Sequence, residues 1–349
     1  MSSTAQLIVT ISQTFMTYTG FLFLFLGVIG NMINIIVLNK LRLFRGHPSV
    51  FYFTIESIGN LAQLIINYTT RIMSNGFGID LTNISWEFCK TRAFLAPTAT
   101  LIPIYTVCLA CFDQFLSTHY NPFFRQKSSI RLAKYLTFTF ITLLILHGIP
   151  FVIFFYLQPS MTCKNYNVRF GQYYSFVYYP VVVGILPMTI ASLFSFLAFR
   201  HVRHLVRRQL RITRRRLEQQ LTAMVLARAI CLGFLMLPYT IYRIYILNVT
   251  VDKSQLVLSA INNTLIESVT VTFLYINFAG NFYAFMVISS RYRHQSDTVP
   301  GTYDSQFDAL EFKYVKHLSA KDVFRNAASS GCIEANGISP FVSMDTECE

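Results

Sequence analysis

Seven apolar stretches punctuate the chain, approximately Tyr18 to Leu38, Ser49 to Tyr68, Phe94 to Phe115, Tyr135 to Leu157, Tyr173 to Phe199, Leu221 to Leu247 and Leu265 to Ile288. Each is close to the roughly 20 residues that a helix needs to cross a hydrocarbon core about 30 Å thick. Lipid offers no partner for backbone amides, so each stretch predicts a helix whose hydrogen bonds are internal. The first stretch is free of charge, while the second, sixth and seventh contain ionisable residues. No basic region precedes the first stretch and no small-residue cleavage site follows it, which predicts a retained span rather than a signal peptide. After about Gln295 the chain turns polar, predicting a loosely ordered tail. The expected organisation is a short N-terminal segment at 1–17, a seven-helix domain at 18–295 and a tail at 296–349.

Composition agrees with a lipid environment. Hydrophobic residues make up 53% of the 349 and charged residues 13%, whereas a soluble domain carries about 25% charged residues to keep a wetted surface. A soluble enzyme, a disordered chain and a small disulfide scaffold are excluded as readings of the whole chain. The net charge of +13 would suit nucleic acid if it were spread evenly, but it is not. The segments after spans one, three, five and seven hold 17 Lys and Arg, and the opposite segments hold six. Basic excess marks the cytoplasmic side, so the pattern predicts an outside N-terminus and an inside tail. Eight arginines lie between Arg200 and Arg216 alone, placed to meet anionic inner-leaflet lipids. Nucleic-acid binding loses its support.

Other residues sort by side. The sequons at Asn83, Asn248 and Asn262 fall in expected outside loops, where glycosylation is feasible. A fourth, at Asn67, lies at the end of span two. Cys89 and Cys163 share the oxidising side, and a disulfide between them would tether the loop between spans four and five to the bundle. Cys108, Cys111 and Cys231 fall within spans and read as reduced thiols, as do Cys332 and Cys348 in the tail.

Seven spans, an outside N-terminus and this cysteine pair resemble a rhodopsin-like G-protein-coupled receptor over about residues 18 to 295. Gly30-Asn31 looks like the Gly-Asn of the family's first span. Asp113, 24 residues after Cys89, stands where the family has its Asp-Arg-Tyr. Tyr120-Asn121-Pro122 resembles the second inner loop, and Pro187 matches the mid-span proline of span five. Phe234 to Tyr239, with Pro238, is similar to the kinked stretch of span six. Asn281 with Phe285, followed by Ser290-Arg291-Tyr292-Arg293, resembles Asn-Pro-x-x-Tyr leading into a short membrane-parallel helix.

The departures carry information too. Gln114 replaces the Arg of Asp-Arg-Tyr, Met236 the toggle Trp, Phe282 the Pro after Asn281, and Phe285 the motif Tyr. The family's Arg engages the G protein and, in the inactive state, an acidic residue at the base of span six. Glu218 matches that position, so a Gln114–Glu218 hydrogen bond is the expected weaker substitute. Asn60 replaces the sodium-site Asp. Asn31, Asn60, Asn277 and Asn281 are expected to form a neutral network that suits water better than Na+. Pro103 stands where span three usually has a Ser.

Charges inside a membrane are costly and tend to pair or to line a wet cavity. Glu56, one turn from Asn60, and Arg228, ten residues before Pro238, are expected either to form an ion pair between spans two and six or to remain apart. In the second case Arg228 snorkels and Glu56 is protonated. Toward the outside, Ala96 occupies the position where amine receptors carry an Asp, and Tyr275 the position of the retinal Lys. Arg71, Arg92, Arg243 and Glu267 suit a polar or peptidic ligand through carboxylates or carbonyls. The competing reading pairs Arg243 with Glu267 and leaves the rest solvated. No metal-spacing cluster, P-loop or nucleophile elbow is present, and His147 stands alone in span four. The resemblance therefore implies a non-enzymatic, cofactor-free receptor of neuropeptide type in the plasma membrane. Its partners would be an extracellular ligand and a heterotrimeric G protein. A small-molecule chemosensory receptor, or a seven-span transporter or channel, are the alternatives.

Overall fold

The computed structural model describes residues 3–40, 47–157, 162–205, 212–249 and 256–288, without the side chains of 203–205, 212–218 and 256. Seven helices are long and apolar enough to cross a membrane: Ser3–Lys40, Pro48–Phe77, Trp86–Thr118, Ile130–Phe154, Val168–Val202, Gln219–Asn248 and Val257–Ala279. They are called spans one to seven below. Local chemistry sets several of their ends. Ser85 caps span three by accepting from the Phe88 amide at 3.1 Å, and Ser129 caps span four through Leu132. Such side chains satisfy amides that the first helical turn leaves without a partner. Span two stops where Gly78 adopts φ +71°, a left-handed cap that disfavours residues with a Cβ.

Span three is the axis of the bundle. It contacts spans two, four, five and six, while spans one and seven close the ring. Within their most apolar windows, 72% of span three is buried but only 22% of span four. Span four consequently presents Phe138, Leu143 and Ile153 outward, a surface suited to lipid chains and not to water. Spans one, two and seven meet at Gly27, where an added Cβ would stand 2.7 Å from Ala279 Cβ and 2.8 Å from Leu64 Cδ1. Gly27→Ala is therefore expected to lower stability by about 1–3 kcal/mol through overpacking. Thermal unfolding of the purified protein measures it, and an unchanged Tm would contradict the close approach.

Four features depart from the sequence expectation. Span one begins at Ser3 rather than Tyr18, because Leu7, Ile8, Val9, Phe15 and Met16 extend its apolar pattern, and Ser12 and Met16 are buried. Residues 3–17 are thus part of the first helix and not a separate segment. Span four ends at Phe154, and Phe155–Leu157 forms a strand (β1) paired antiparallel with Cys163–Asn165 (β2), with Leu157 opposite Cys163. Span seven breaks at Gly280, and Asn281–Ile288 continues as a separate helix. A glycine thus supplies the interruption that a proline would otherwise make.

The fourth departure is a change of helical period. Gln63–Tyr68, Tyr174–Ile185 and Ile261–Ile266 are π-helical within spans two, five and seven. A π-turn bonds residue i to i+5 and accommodates one residue more than an α-turn, which re-aims the side chains around it. Apolar periodicity in the sequence does not separate it from an α-helix. The membrane-parallel helix expected after Ser290 and the tail at 296–349 lie outside the described residues, as do Arg207, Arg208 and Arg211 of the Arg200–Arg216 cluster and the side chains of its other arginines except Arg200.

Candidate functional site

Polar side chains collect at three levels of the bundle. At the disulfide end, a cavity of about 190 Å³ opens among spans two to seven. Cys89 and Cys163 form a disulfide, with Cα atoms 5.8 Å apart, that holds β2 over span three. Asn83 Oδ1 accepts from the Cys163 amide at 3.0 Å and pins the same segment a second time. Of the ligand-contact residues expected from sequence, Arg71, Arg92, Ala96, Arg243 and Tyr275 line the cavity. Glu267 stands behind them, 3.0 Å from Arg71 Nη1 and 3.9 Å from Arg243 Nη1. Arg243 also donates to the Tyr179 hydroxyl at 2.9 Å, its guanidinium 4.9 Å from the centre of that ring.

An aromatic wall faces these charges, and the sequence reading did not find it. Tyr174 and Tyr179 hydroxyls lie 2.9 Å apart. Five residues separate them, so an α-helical periodicity places them on different faces, whereas the π-turn brings them together. Tyr174 stacks on Tyr178 at 5.3 Å, and Phe151 meets Tyr178 at 5.2 Å. Gln63 and Asn67, from the π-helical part of span two, complete the lining on the other side. The usable signal was the repeated pair Tyr173-Tyr174 and Tyr178-Tyr179, read at a period of five. His147 lies beside this wall, with Nε2 2.6 Å from the Tyr173 hydroxyl.

Midway along the bundle, Arg228 Nε donates to Glu56 Oε1, and Arg228 Nη1 donates to Asn277 Oδ1 at 2.6 Å. The two charged side chains are 2% and 1% exposed, so the contact is a buried ion pair and not a solvated one. It joins spans two, six and seven. One turn away, Asn60 Nδ2 donates to Asn31 Oδ1 at 3.1 Å, and Asn31 Nδ2 reaches the Phe278 carbonyl at 3.0 Å. Asn281 lies buried beside Glu56 but outside hydrogen-bond geometry. The atoms left without a protein partner are Glu56 Oε2, Asn60 Oδ1, Arg228 Nη2, Asn277 Nδ2 and both polar atoms of Asn281. Acceptors and donors are balanced among them, a chemistry that suits water.

At the far end of span three, Asp113 Oδ1 accepts from Ser128 at 2.8 Å and Oδ2 from Ser49 at 3.2 Å. Ser49 Oγ also lies 3.1 Å from Gln114 Oε1, and one hydroxyl proton can serve only one of these acceptors at a time. Gln114 Nε2 donates to Thr222 Oγ1 at 2.6 Å, linking spans three and six one turn beyond Glu218. Glu218's side chain lies outside the described residues, so Thr222 is the described span-six partner of Gln114. Phe285 is fully buried, 4.7 Å from Phe53. Pro238 sits within span six between Arg228 and Arg243, where its missing amide weakens the helix.

Glycosylation at Asn262 is corrected by its position. The residue lies in span seven, 5% exposed, with its amide 3.4 Å from the Tyr245 hydroxyl and its carbonyl accepting from Tyr242. A buried amide held between helices does not admit a glycan. Asn83 is half-buried and already bonded through Oδ1, and Asn248 is exposed at the end of span six. No protein-family model matches the chain, and no curated protein matches it.

Proposed function

We propose that the chain is a divergent rhodopsin-like G-protein-coupled receptor of the plasma membrane, with its N-terminus outside. Ligand bound at the disulfide end would drive span six outward and open the far end to a heterotrimeric G protein. The observation that carries this reading is the vertical arrangement of polar groups along spans three and six. Arg92 and Gln114 lie at opposite ends of span three, roughly 33 Å apart by helical rise. On span six, Arg243 contacts the cavity, Arg228 holds spans two and seven, and Thr222 holds Gln114. Span six cannot swing without releasing the last two contacts, and Pro238 provides a weak point above them.

The far end carries the basic excess, which orients it toward anionic inner-leaflet lipids. Asn83 and Asn248 are the candidate glycan acceptors on the other side. The cavity has room for about one residue, so a peptide would insert a single terminal residue. A small-molecule chemosensory ligand is the second reading, favoured by the same volume of about 190 Å³. The test is expression with a promiscuous G protein and a screen of peptide and small-molecule libraries. Ligand-dependent G-protein dissociation is the expected result. Ligand uptake or ion current without it would overturn the reading in favour of a transporter or channel.

A further inference from the structure

We infer that the cavity at the disulfide end binds a carboxylate carrying a short aromatic group, with Arg92 as the residue that anchors the carboxylate. The inference deepens the receptor reading and rests on it for its physiological meaning, although binding itself can be measured without signalling. The charge inventory is the first observation. Three guanidinium groups, from Arg71, Arg92 and Arg243, line one cavity. Among the described residues only Glu267 lies within ion-pair distance of any of them, and it is shared between Arg71 and Arg243.

Arg92 is the cation left over. Its Nε is buried without a hydrogen-bond partner, although a guanidinium has five donors in a planar fork that matches a carboxylate. The side chain as a whole is half-buried, and the carboxylate that acts on it, Asp80, lies beyond ion-pair distance, so a ligand anion offsets its desolvation more fully than a neutral group can. Arg243 is differently placed: it is held by Tyr179 and lies near Glu267. The missing negative charge is therefore localised to the Arg92 side of the cavity.

The second observation sets the rest of the ligand. Phe151, Tyr174, Tyr178 and Tyr275 also line the cavity, giving aromatic faces and edges against which a ring can pack. A protein cavity of about 150 Å³ accepts benzene. A volume of about 190 Å³ thus has room for a ring, a short linker and one carboxylate. That chemistry is shared by a free arylacetic acid and by the C-terminal phenylalanine of a peptide.

Phenylacetate, its neutral amide phenylacetamide, and a tetrapeptide ending in phenylalanine with either a free or an amidated C-terminus are the probes. Ligand-induced rise in the Tm of the purified full chain is the readout. The free acid, or the free-carboxylate peptide, should stabilise saturably with an affinity about tenfold or more above that of its amide. A response to phenylacetate identifies a small acid as sufficient, and a response to the peptide alone assigns the carboxylate to a peptide terminus. Arg92→Gln should remove the acid's preference over the amide, and Arg92→Lys, which keeps the charge but not the fork, should retain part of it. The unliganded Tm of both variants reports folding separately. Equal stabilisation by acid and amide, no stabilisation by any probe, or an undiminished acid preference in Arg92→Gln would overturn the inference. Acid-selective binding without G-protein dissociation would leave it standing while removing the receptor reading.

Discussion

Replacing either Glu56 or Arg228 alone with Gln is expected to cost about 3–5 kcal/mol of stability, because each change strands the opposite charge in a site almost without solvent. The pair is 1% and 2% exposed, and each partner has one further polar atom unsatisfied by protein. Restoring complementarity should recover much of the loss. In the exchange Glu56→Arg with Arg228→Glu, the Asn277 amide can turn to present Nδ2 to the new carboxylate, since an amide carries donor and acceptor on one plane. The exchange should therefore be more stable than either single Gln variant. Thermal unfolding of the four proteins measures this recovery, and under the proposed receptor reading basal G-protein signalling is the second readout. An exchange no better than the singles would remove the pair from the mechanism.

Loss of the Cys89–Cys163 disulfide is the second large effect, expected to cost about 2–5 kcal/mol. The bond closes a loop of 74 residues in sequence and fixes β2 against span three. Without it, the Asn83 contact to the Cys163 amide remains, at 3.0 Å, as a hydrogen bond of ordinary strength. The double variant Cys89→Ser, Cys163→Ser should show both a lower Tm and weaker binding of any cavity ligand, because both half-cystines line the cavity. Reductant should lower the Tm of the wild type and leave the double variant unmoved. A wild-type Tm insensitive to reductant would contradict the assignment.

Different parts of this molecule were legible for different reasons. Span number could be read because twenty apolar residues have no comparable use in water. Glu56 and Arg228 stood out because a charge in such a stretch demands an account, and the structure brings them together. The arginines of the cavity were visible for the same reason, but their apportionment was not. Glu267 sits between Arg71 and Arg243 through contacts between residues far apart in sequence. Asn262 was misplaced because hydropathy weakens at the end of span seven while the helix continues. The hairpin β1–β2 is only three residues per strand, too short for alternation to register. The tyrosine wall was missed because period-3.6 reasoning has no place for a turn that closes at five.

That last feature makes the length of span five part of the specification of its cavity. Were the turns between Tyr174 and Ile185 to take α-helical pitch with no residue removed, everything on the disulfide side would rotate by about 100° for each π-turn lost, relative to the half anchored on span three. Tyr173 would leave His147, and Tyr174 would leave Tyr179, without a single aromatic residue being substituted. Deleting one residue between Tyr174 and Tyr179 would instead set the two at the i, i+4 spacing that shares a face of an α-helix, so the wall depends on chain length and helical pitch together.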